Sequence, residues 1–240
     1  MDLDDAVVVL TGASSGIGEA TARAAARRGA RIVLAARREE RITDLAEELG
    51  RAVAVRCDVT DPSQVDTLVQ SAVDAFGRVD VVVNNAGQGH EGTIEQIALD
   101  DFRALLELNL IAPLSVMQAV LPVMRAQGAG SIVNVSSGTT LANIPGTAAY
   151  VASKIALERL SAIARAELDG TGITVSTVIP FATSTEFVTS LRAGRERAEA
   201  GLAGVELDRP EQVAEVILGL VRSGDAQADL VPDAYGGSRR

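Results

Sequence analysis

The sequence predicts an α/β fold in which one open, doubly wound parallel sheet is covered by helices on both faces. Apolar runs of strand length alternate with amphipathic stretches of helix length, an order typical of parallel sheets. The strand runs consist largely of Val, Ile and Ala, as expected of strands that are buried on both faces. A length of 240 residues with 47% apolar residues suffices for one domain with a large core.

The first half of the chain contains four predicted strands, and a helix follows each of the first three. Pro62 stands in the first turn of the third helix, where a residue without an N–H group is tolerated. The predicted strands are residues 6–11, 31–35, 52–56 and 79–83, and the predicted helices are residues 17–28, 39–49 and 62–76.

The second half begins with a long predicted helix over residues 99–127, and strands and helices then alternate. Residues 183–209 lack a regular pattern and are rich in Ala, Gly and charge, so we expect a mobile flap there. Strands at 131–135, 173–179 and 229–231, with helices at 149–168 and 211–222, complete a sheet of about seven strands in one domain over residues 1–240.

Composition argues against several classes of function. A net charge of −10 without a basic cluster disfavours nucleic acid and anionic lipid as partners. We expect no membrane span, because no apolar run approaches the required length of about 20 residues. The single cysteine, Cys57, and the single histidine, His90, supply neither a disulfide nor a metal cluster, so we expect no metal. The first strand begins near residue 6, which leaves no room for a signal peptide and predicts a cytoplasmic protein.

A glycine-rich turn joins the first strand to the first helix. Glycines at such a turn let the backbone approach a pyrophosphate, and the helix N-terminus supplies unpaired N–H groups and a positive partial charge. A tight turn of purely structural purpose is the alternative. The spacing is G-x-x-x-G-x-G, and the candidate cofactor-binding residues are Gly12, Ser14, Ser15, Gly16, Ile17 and Gly18.

The end of the second strand indicates which nicotinamide cofactor binds. An acidic residue there would bind the ribose 2′-OH of NAD, but this chain has two alanines followed by Arg37 and Arg38. Two guanidinium groups can bind a 2′-phosphate, so we predict NADP(H). The alternative is that both arginines form a solvated helix face.

Polar and small residues follow the third and fourth strands at the same sheet edge. Asp58 is a candidate for the adenine amino group with Val59 beside it, although an N-cap role for Asp58 is also consistent with its position. Asn85, Ala86 and Gly87 follow the fourth strand, where small residues permit close approach to a ribose and Asn side chains can tie strands together.

Tyr150 and Lys154 are four residues apart on a predicted helix and therefore share a face. A cation one turn away stabilises a phenolate and lowers the pKa of the phenol, which could then exchange a proton with a substrate oxygen. Lys154 is also the only lysine among 22 basic residues. An ordinary surface pair is the alternative.

Two further polar positions complete the candidate site. Ser136 and Ser137 follow the strand at 131–135, where one hydroxyl could donate a hydrogen bond to a substrate carbonyl or merely cap a turn. Asn109 continues an apolar helix stripe, and Pro113 four residues later cannot donate to its carbonyl. We therefore expect a kink that either holds an ordered water near Lys154 or is filled by packing.

With these residues the chain resembles the short-chain dehydrogenases/reductases of the common type, which have a Rossmann-like fold, over nearly its whole length. The resemblance implies Tyr150 as general acid/base and Lys154 as ribose ligand. It also implies that Ser137, thirteen residues before the tyrosine, positions the carbonyl and that Arg37 binds the 2′-phosphate. Asn109 would hold the relay water.

One segment departs from the family pattern Pro-Gly-x-Val-x-Thr. Phe181 replaces the glycine and Thr183 replaces the valine whose backbone holds the nicotinamide carboxamide. We still expect Pro180, Thr183 and Thr185 to contact the cofactor, and we expect Phe181 to reshape the pocket.

These residues predict an NADPH-dependent enzyme that transfers a hydride between the nicotinamide and a ketone, aldehyde or secondary alcohol. The expected pocket wall is mostly apolar and neutral, which favours an uncharged small-molecule substrate. A 3-oxoacyl-thioester reductase and a non-catalytic NADP-binding regulator are the alternatives. The resemblance also implies a homotetramer or dimer built on the helices that start near Leu99 and Ala149. The expected substrate-binding residues are Gln88, His90, Thr139, Ile144 and Phe181.

Overall fold

The computed structural model describes residues 1–238, which form one seven-stranded parallel sheet with helices on both faces. The strand order is β3-β2-β1-β4-β5-β6-β7, so the direction of chain progression reverses between β1 and β4. The predicted fold is therefore confirmed. The strands are β1 Val7–Thr11, β2 Arg31–Ala36, β3 Ala52–Arg56, β4 Val81–Asn84, β5 Gly130–Val135, β6 Ile173–Ile179 and β7 Gln227–Asp229.

Two apolar cores lie on opposite faces of the sheet, as the buried strands require. Helices α1, α2 and α8 cover one face, and α3, α5 and the end of α6 cover the other. The helices are α1 Gly16–Ala26, α2 Glu39–Leu49, α3 Pro62–Phe76, α4 Leu99–Leu106, α5 Ala112–Gln127, α6 Ala148–Glu167, α7 Arg195–Gly201 and α8 Pro210–Ser223.

Buried carboxylates lie at the start of one strand, β4, and at the end of another, β7. β4 starts at Val81 rather than residue 79, because the buried Asp80 carboxylate accepts the Val7 N–H at 2.9 Å and pairs with Arg78. The prediction of β7 at residues 229–231 is wrong by two residues. There the Asp229 carboxylate accepts the N–H of Val231, which turns the chain out of the sheet.

The long predicted helix is interrupted by one π-helical turn, Glu107–Ile111, between α4 and α5. The Ala112 N–H bonds the Glu107 carbonyl, a wider step than the α-helical one. The expected kink at Asn109, ahead of Pro113, is thereby confirmed as a π bulge. Such bulges re-aim side chains and are frequent at functional sites.

The run Leu99–Gln127 is long and apolar enough to cross a membrane by length and composition, with a mean hydropathy of 1.7, contrary to our expectation. Its packing identifies it as a core helix of this domain. Val116, Val120 and Met124 are buried against the sheet and α3.

The predicted flap over residues 183–209 contains a 3-10 turn, Val188–Ser190, and helix α7. Its base is held by a hydrogen bond from the Ser184 N–H to the Asp208 carbonyl at 2.9 Å. Further along, the Arg192 N–H bonds the Gly89 carbonyl at 3.1 Å, and the Glu91 N–H bonds the Ala193 carbonyl at 3.0 Å. The flap therefore lies on the loop after β4.

Candidate active site

The candidate residues collect at the carboxyl edge of the sheet, around the point where the strand order reverses. The glycine turn follows β1, residues 85–87 follow β4, and Ser137 and Pro180 follow β5 and β6. Parallel strands deliver their carboxyl ends to one edge, so segments far apart in sequence meet there.

The glycine turn fits a pyrophosphate. Gly12 has a φ of +65°, and a Cβ atom on it would lie 2.9 Å from the Ala86 Cα. Ser15, the N-cap residue of α1, makes no side-chain capping hydrogen bond. The first N–H groups of α1 are thus available to an anion, and the chain passes closely enough that only glycine is tolerated.

Arg38 lies directly on this turn. Its Nε donates to the Ser14 Oγ at 3.0 Å and its Nη2 to the Ser15 Oγ at 2.6 Å. Arg37 is exposed and has no polar partner among the residues that the structure describes. Arg38 therefore borders the turn, while Arg37, the residue before it, is open to solvent.

Glu186 of the flap bridges Arg38 and Arg41, a contact that the sequence did not predict. Its two carboxylate oxygens pair with Arg38 at 2.6 Å and with Arg41 at 2.8 Å. The hydrogen bond from Arg38, followed by the one from Arg41, lowers the pKa of Glu186 to about 2. The flap is therefore tied to the arginines beside the glycine turn.

Asn85 and Asp58 make local contacts in the structure. The Asn85 Nδ2 donates to the carbonyls of Thr11 at 3.1 Å and Gly12 at 3.2 Å. The expectation that this amide ties neighbouring strands together is confirmed. The Asp58 Oδ1 accepts the N–H and the hydroxyl of Thr60, so this carboxylate stabilises the turn after β3.

Tyr150 and Lys154 lie together on α6, and both are buried. The Lys154 Nζ donates to the Val135 carbonyl at 2.9 Å, and it lies 5.9 Å from the centroid of the Tyr150 ring. The predicted shared face is therefore confirmed, and the alternative of an ordinary surface pair is wrong.

Burial sets the pKa values of both groups. It raises the pKa of the Tyr150 phenol to about 12, and a hydrogen bond with Ser137 opposes the rise. It lowers the pKa of the Lys154 ammonium to about 8, and the Glu158 carboxylate opposes the fall. For the protein alone the phenol pKa is therefore raised, not lowered as expected, because desolvation outweighs the hydrogen bond from Ser137.

The two serines after β5 have different partners. The Ser136 hydroxyl donates to the Glu158 carboxylate, which fixes α6 against the end of β5. The Ser137 hydroxyl hydrogen-bonds the Tyr150 phenol and lies 3.0 Å from the Thr139 Oγ1. Of the two, Ser137 is the one beside the phenol.

Asn109 is fully buried with every side-chain group paired. Its Nδ2 donates to the Gln88 carbonyl at 2.9 Å and to the Ser153 Oγ at 3.1 Å, and its Oδ1 accepts the Gln88 N–H at 3.0 Å. Ser153 in turn donates to the Tyr150 carbonyl at 2.7 Å. A Cβ on Gly87 would lie within 3.2 Å of the Asn109 Oδ1 and 3.4 Å of the Lys154 Nζ. Asn109 and Lys154 therefore border the same small space.

Two of the expected pocket residues, Thr139 and Gln88, contact candidate catalytic residues, and the others do not. Thr139 lies beside Ser137, and Gln88 both contacts Asn109 and donates to the Ser190 carbonyl in the flap. Phe181 instead packs its ring on Tyr235, with the ring centroids 4.9 Å apart. Ile144 is partly exposed.

His90 lies outside the Tyr150 cluster and is 3% exposed. It borders a separate cavity of about 350 Å³ between the loop after β4 and the flap, with Glu91 and Arg197 on its walls. Its Nδ1 has no hydrogen-bond partner among the described residues.

Three residues at the site were missed by sequence reasoning. Ser153 and Glu158 lie one turn from Tyr150 and Lys154 respectively, so helical spacing could have found them. Phe187 belongs to the flap, and its ring lies 5.6 Å from the Tyr150 ring. No local pattern predicts a contact between two segments that lie so far apart in sequence.

Comparison with known proteins identifies the relatives of this chain. The family described as short chain dehydrogenase matches residues 6–196. Sulfoacetaldehyde reductase 2 of Chromohalobacter salexigens is 37% identical over 218 residues, covering 88% of this chain and 86% of its own length.

Two solved structures are similar along nearly the whole chain. The 3-ketoacyl-(acyl-carrier-protein) reductase from Brucella melitensis, complexed with NADH, is 27% identical with a TM-score of 0.86, covering 95% of this chain and 98% of its own. An alcohol dehydrogenase from Thermococcus sibiricus, complexed with 5-hydroxy-NADP, is 29% identical with a TM-score of 0.81, covering 94% and 95%.

The lowered pKa of Lys154 predicts a pH-dependent stability. Between its folded pKa of about 8 and its ordinary value of 10.5, the unfolded chain binds a proton that the folded chain does not. The contribution of Lys154 to the free energy of unfolding therefore rises with pH, by up to about 1.4 kcal/mol per pH unit. Urea unfolding of the wild type and of Lys154→Met between about pH 7.5 and 9.5 should show this rise only in the wild type. Parallel profiles would contradict the burial of a titrating ammonium.

Proposed function

This chain belongs to the short-chain dehydrogenase family, and we propose that it is an NADP(H)-dependent reductase of ketones or aldehydes that also oxidises secondary alcohols. Family membership makes it an oxidoreductase acting on CH–OH and C=O groups. One observation supports the proposal above the others. The half-buried Ser137 and the buried Tyr150 and Lys154 form one cluster at the sheet edge that also holds the uncapped N-terminus of α1.

The catalytic roles follow from this cluster. The bound nicotinamide supplies the hydride. The Ser137 hydroxyl donates a hydrogen bond to the substrate carbonyl oxygen and holds it beside the phenol, and Tyr150 donates its proton to that oxygen. A phenol with a pKa of about 12 is protonated at neutral pH, which is the form that reduction requires.

Lys154 and Asn109 support the proton transfer. The Lys154 ammonium stabilises the phenolate that forms and binds the cofactor ribose. A water held by the π bulge at Asn109 returns a proton from solvent towards Lys154.

The cofactor site uses the sheet edge from β1 to β6. Relatives of this chain bind NADH or an NADP derivative, so family membership leaves the choice open. Arg38 beside the glycine turn and the exposed Arg37 next to it in sequence favour the 2′-phosphate of NADP(H). We assign cofactor contacts to Gly12, Ser14, Ser15, Gly16, Ile17, Gly18, Arg37, Arg38, Asp58, Val59, Asn85, Ala86, Gly87, Tyr150, Lys154, Pro180, Thr183 and Thr185.

A small uncharged carbonyl compound fits the pocket best. Gln88 and Thr139 are neutral and lie beside Asn109 and Ser137 respectively. A second candidate, a 3-oxoacyl-thioester reductase, gains support from the reductase from Brucella melitensis. An acidic carrier would need basic residues near the pocket. Arg192 of the flap is there, with its Nη1 3.5 Å from the Gln88 Oε1, whereas Arg125, which the sequence suggested, lies near the end of α5 at the opposite edge of the sheet.

Apolar side chains on the outer face of α4 and α6 support a homo-oligomer. Leu99 begins α4, Ile111 ends the π turn that follows it, Ile155 and Ile163 belong to α6, and all four side chains are exposed. Exposed apolar residues that share a face mark an interaction surface. We propose that two copies of this chain pair through this face, in a dimer or a tetramer of a cytoplasmic enzyme.

Replacing Tyr150 by Phe removes the proton donor and keeps the ring. We expect kcat for NADPH-dependent ketone reduction to fall about a hundred- to ten-thousandfold, while NADPH still binds. Absorbance of NADPH followed with a panel of hydrophobic ketones and aldehydes measures this. Tyr235→Phe removes the other phenol and should leave kcat unchanged. Full activity in Tyr150→Phe would reject the mechanism, and a wild type without turnover on any carbonyl would favour a non-catalytic binding protein.

Reversing the charge of Arg37 tests the cofactor assignment. Arg37→Asp should lower kcat/KM for NADPH about tenfold or more relative to NADH, because a carboxylate repels the 2′-phosphate. Arg27→Asp makes the same charge change at the opposite end of α1, where the side chain is exposed, and should leave the ratio unchanged. An equal ratio in wild type and Arg37→Asp would show that Arg37 does not recognise the phosphate.

Light scattering tests the proposed interface. The wild type should give at least twice the 24.9 kDa of one chain. Ile163→Asp places a charge in the apolar face, away from Tyr150, and should shift the mass towards the monomer. A wild type that is monomeric throughout a concentration series would rule out the interface.

A further inference from the structure

Glu186 lies where two arginines from the start of α2 converge. Each of its carboxylate oxygens pairs with a different guanidinium, Oε2 with Arg38 at 2.6 Å and Oε1 with Arg41 at 2.8 Å. A third contact, at 3.0 Å, joins Oε2 to Arg41. An anionic group thus fills the space between the two cations.

The Arg38 guanidinium also faces the glycine turn. Arg38 donates to the hydroxyls of Ser14 and Ser15 while it pairs with Glu186. The bridged carboxylate therefore lies at the border of the turn that receives the cofactor phosphates. Thr185, the preceding residue, packs on Gly16, so that a Cβ atom on this glycine would lie 2.9 Å from the Thr185 Cγ2.

A carboxylate and a phosphate present similar oxygens to a guanidinium, so both bind an arginine pair in the same way. Two anions cannot occupy one site without repulsion. The three side chains are each about half exposed, at 44%, 50% and 47% for Arg38, Arg41 and Glu186. Exposed ion pairs contribute little free energy, so a phosphate carrying more charge can displace this carboxylate.

We propose that Glu186 is a cofactor-selecting residue that competes with the ribose 2′-phosphate for Arg38 and Arg41. The competition weakens binding of cofactors that carry a 2′-phosphate and leaves binding of those without it unchanged. Glu186 therefore lowers the preference for NADP(H) that the arginines alone would give. This inference rests on the proposed use of NADP(H).

The test measures binding without catalysis, using 2′,5′-ADP and 5′-AMP as probes in isothermal titration calorimetry. Glu186→Gln keeps the size of the side chain and removes its charge. We expect it to bind 2′,5′-ADP roughly three- to tenfold more tightly than the wild type does, with 5′-AMP within about twofold. Glu206→Gln removes one charge from an exposed position elsewhere in the flap and should bind both probes as the wild type does.

The possible results separate the two claims. If the wild type prefers 2′,5′-ADP but Glu186→Gln binds it no more tightly, the competition is overturned and the NADP(H) assignment stands. If Glu206→Gln tightens binding as much as Glu186→Gln, the effect is general charge, and the competition is overturned as well. If no variant distinguishes 2′,5′-ADP from 5′-AMP, the NADP(H) assignment itself fails and this inference fails with it.

Discussion

A buried ammonium group organises the candidate active site. Lys154 is the only lysine in the chain, and its Nζ is held by the carbonyl of Val135, the last residue of β5. This hydrogen bond sets α6 against the end of the strand, and the Ser136–Glu158 contact reinforces the placement. The phenol of Tyr150, one turn before Lys154, is thereby brought to Ser137. Arginine could not replace this lysine, because its planar fork does not fit a site built for a compact ammonium.

Burial affects the two reacting groups in opposite ways. It keeps the Tyr150 phenol protonated, with a pKa of about 12, and it weakens the hold of Lys154 on its proton, with a pKa of about 8. The protein alone is therefore arranged as a proton donor to a substrate oxygen. A positive charge that enters beside the phenol would favour the phenolate. The charge of the group bound in the site is therefore expected to determine whether Tyr150 donates or accepts the proton. Phe187 of the flap, which packs near the Tyr150 ring, helps to keep this region away from water.

Local sequence patterns predicted most of the fold and the centre of the site, because both depend on short-range rules. Strand and helix periodicity placed β2, α2, β3 and α3 within a residue of their observed bounds. The glycine turn and the four-residue spacing of Tyr150 and Lys154 were recognisable because each reflects backbone geometry within a short stretch of sequence. The apolar stripe interrupted by Asn109 likewise indicated a buried amide that needs partners, and the structure supplies them from Gln88 and Ser153.

Apart from Ser153 and Glu158, the residues that sequence reasoning missed depend on contacts between distant segments. Glu186 meets Arg38 and Arg41, and Phe187 meets Tyr150, only because the flap folds back over the sheet edge. Phe181 turns to Tyr235 rather than standing over the site. Nothing periodic in residues 183–209 encodes these partners. The sign of the phenol pKa shift was also missed, since the spacing reveals a nearby cation but not the depth of burial.

The ionisation of Tyr150 tests the central claim most directly. The chain has two tyrosines, so the ultraviolet difference between the wild type and Tyr150→Phe isolates the signal of this phenol. The account predicts no phenolate from Tyr150 at about pH 9 in the protein alone, and its appearance at that pH when NADP⁺ is bound. A phenol that stays protonated at that pH in the NADP⁺ complex would contradict the assignment of Tyr150 as the base that accepts the alcohol proton.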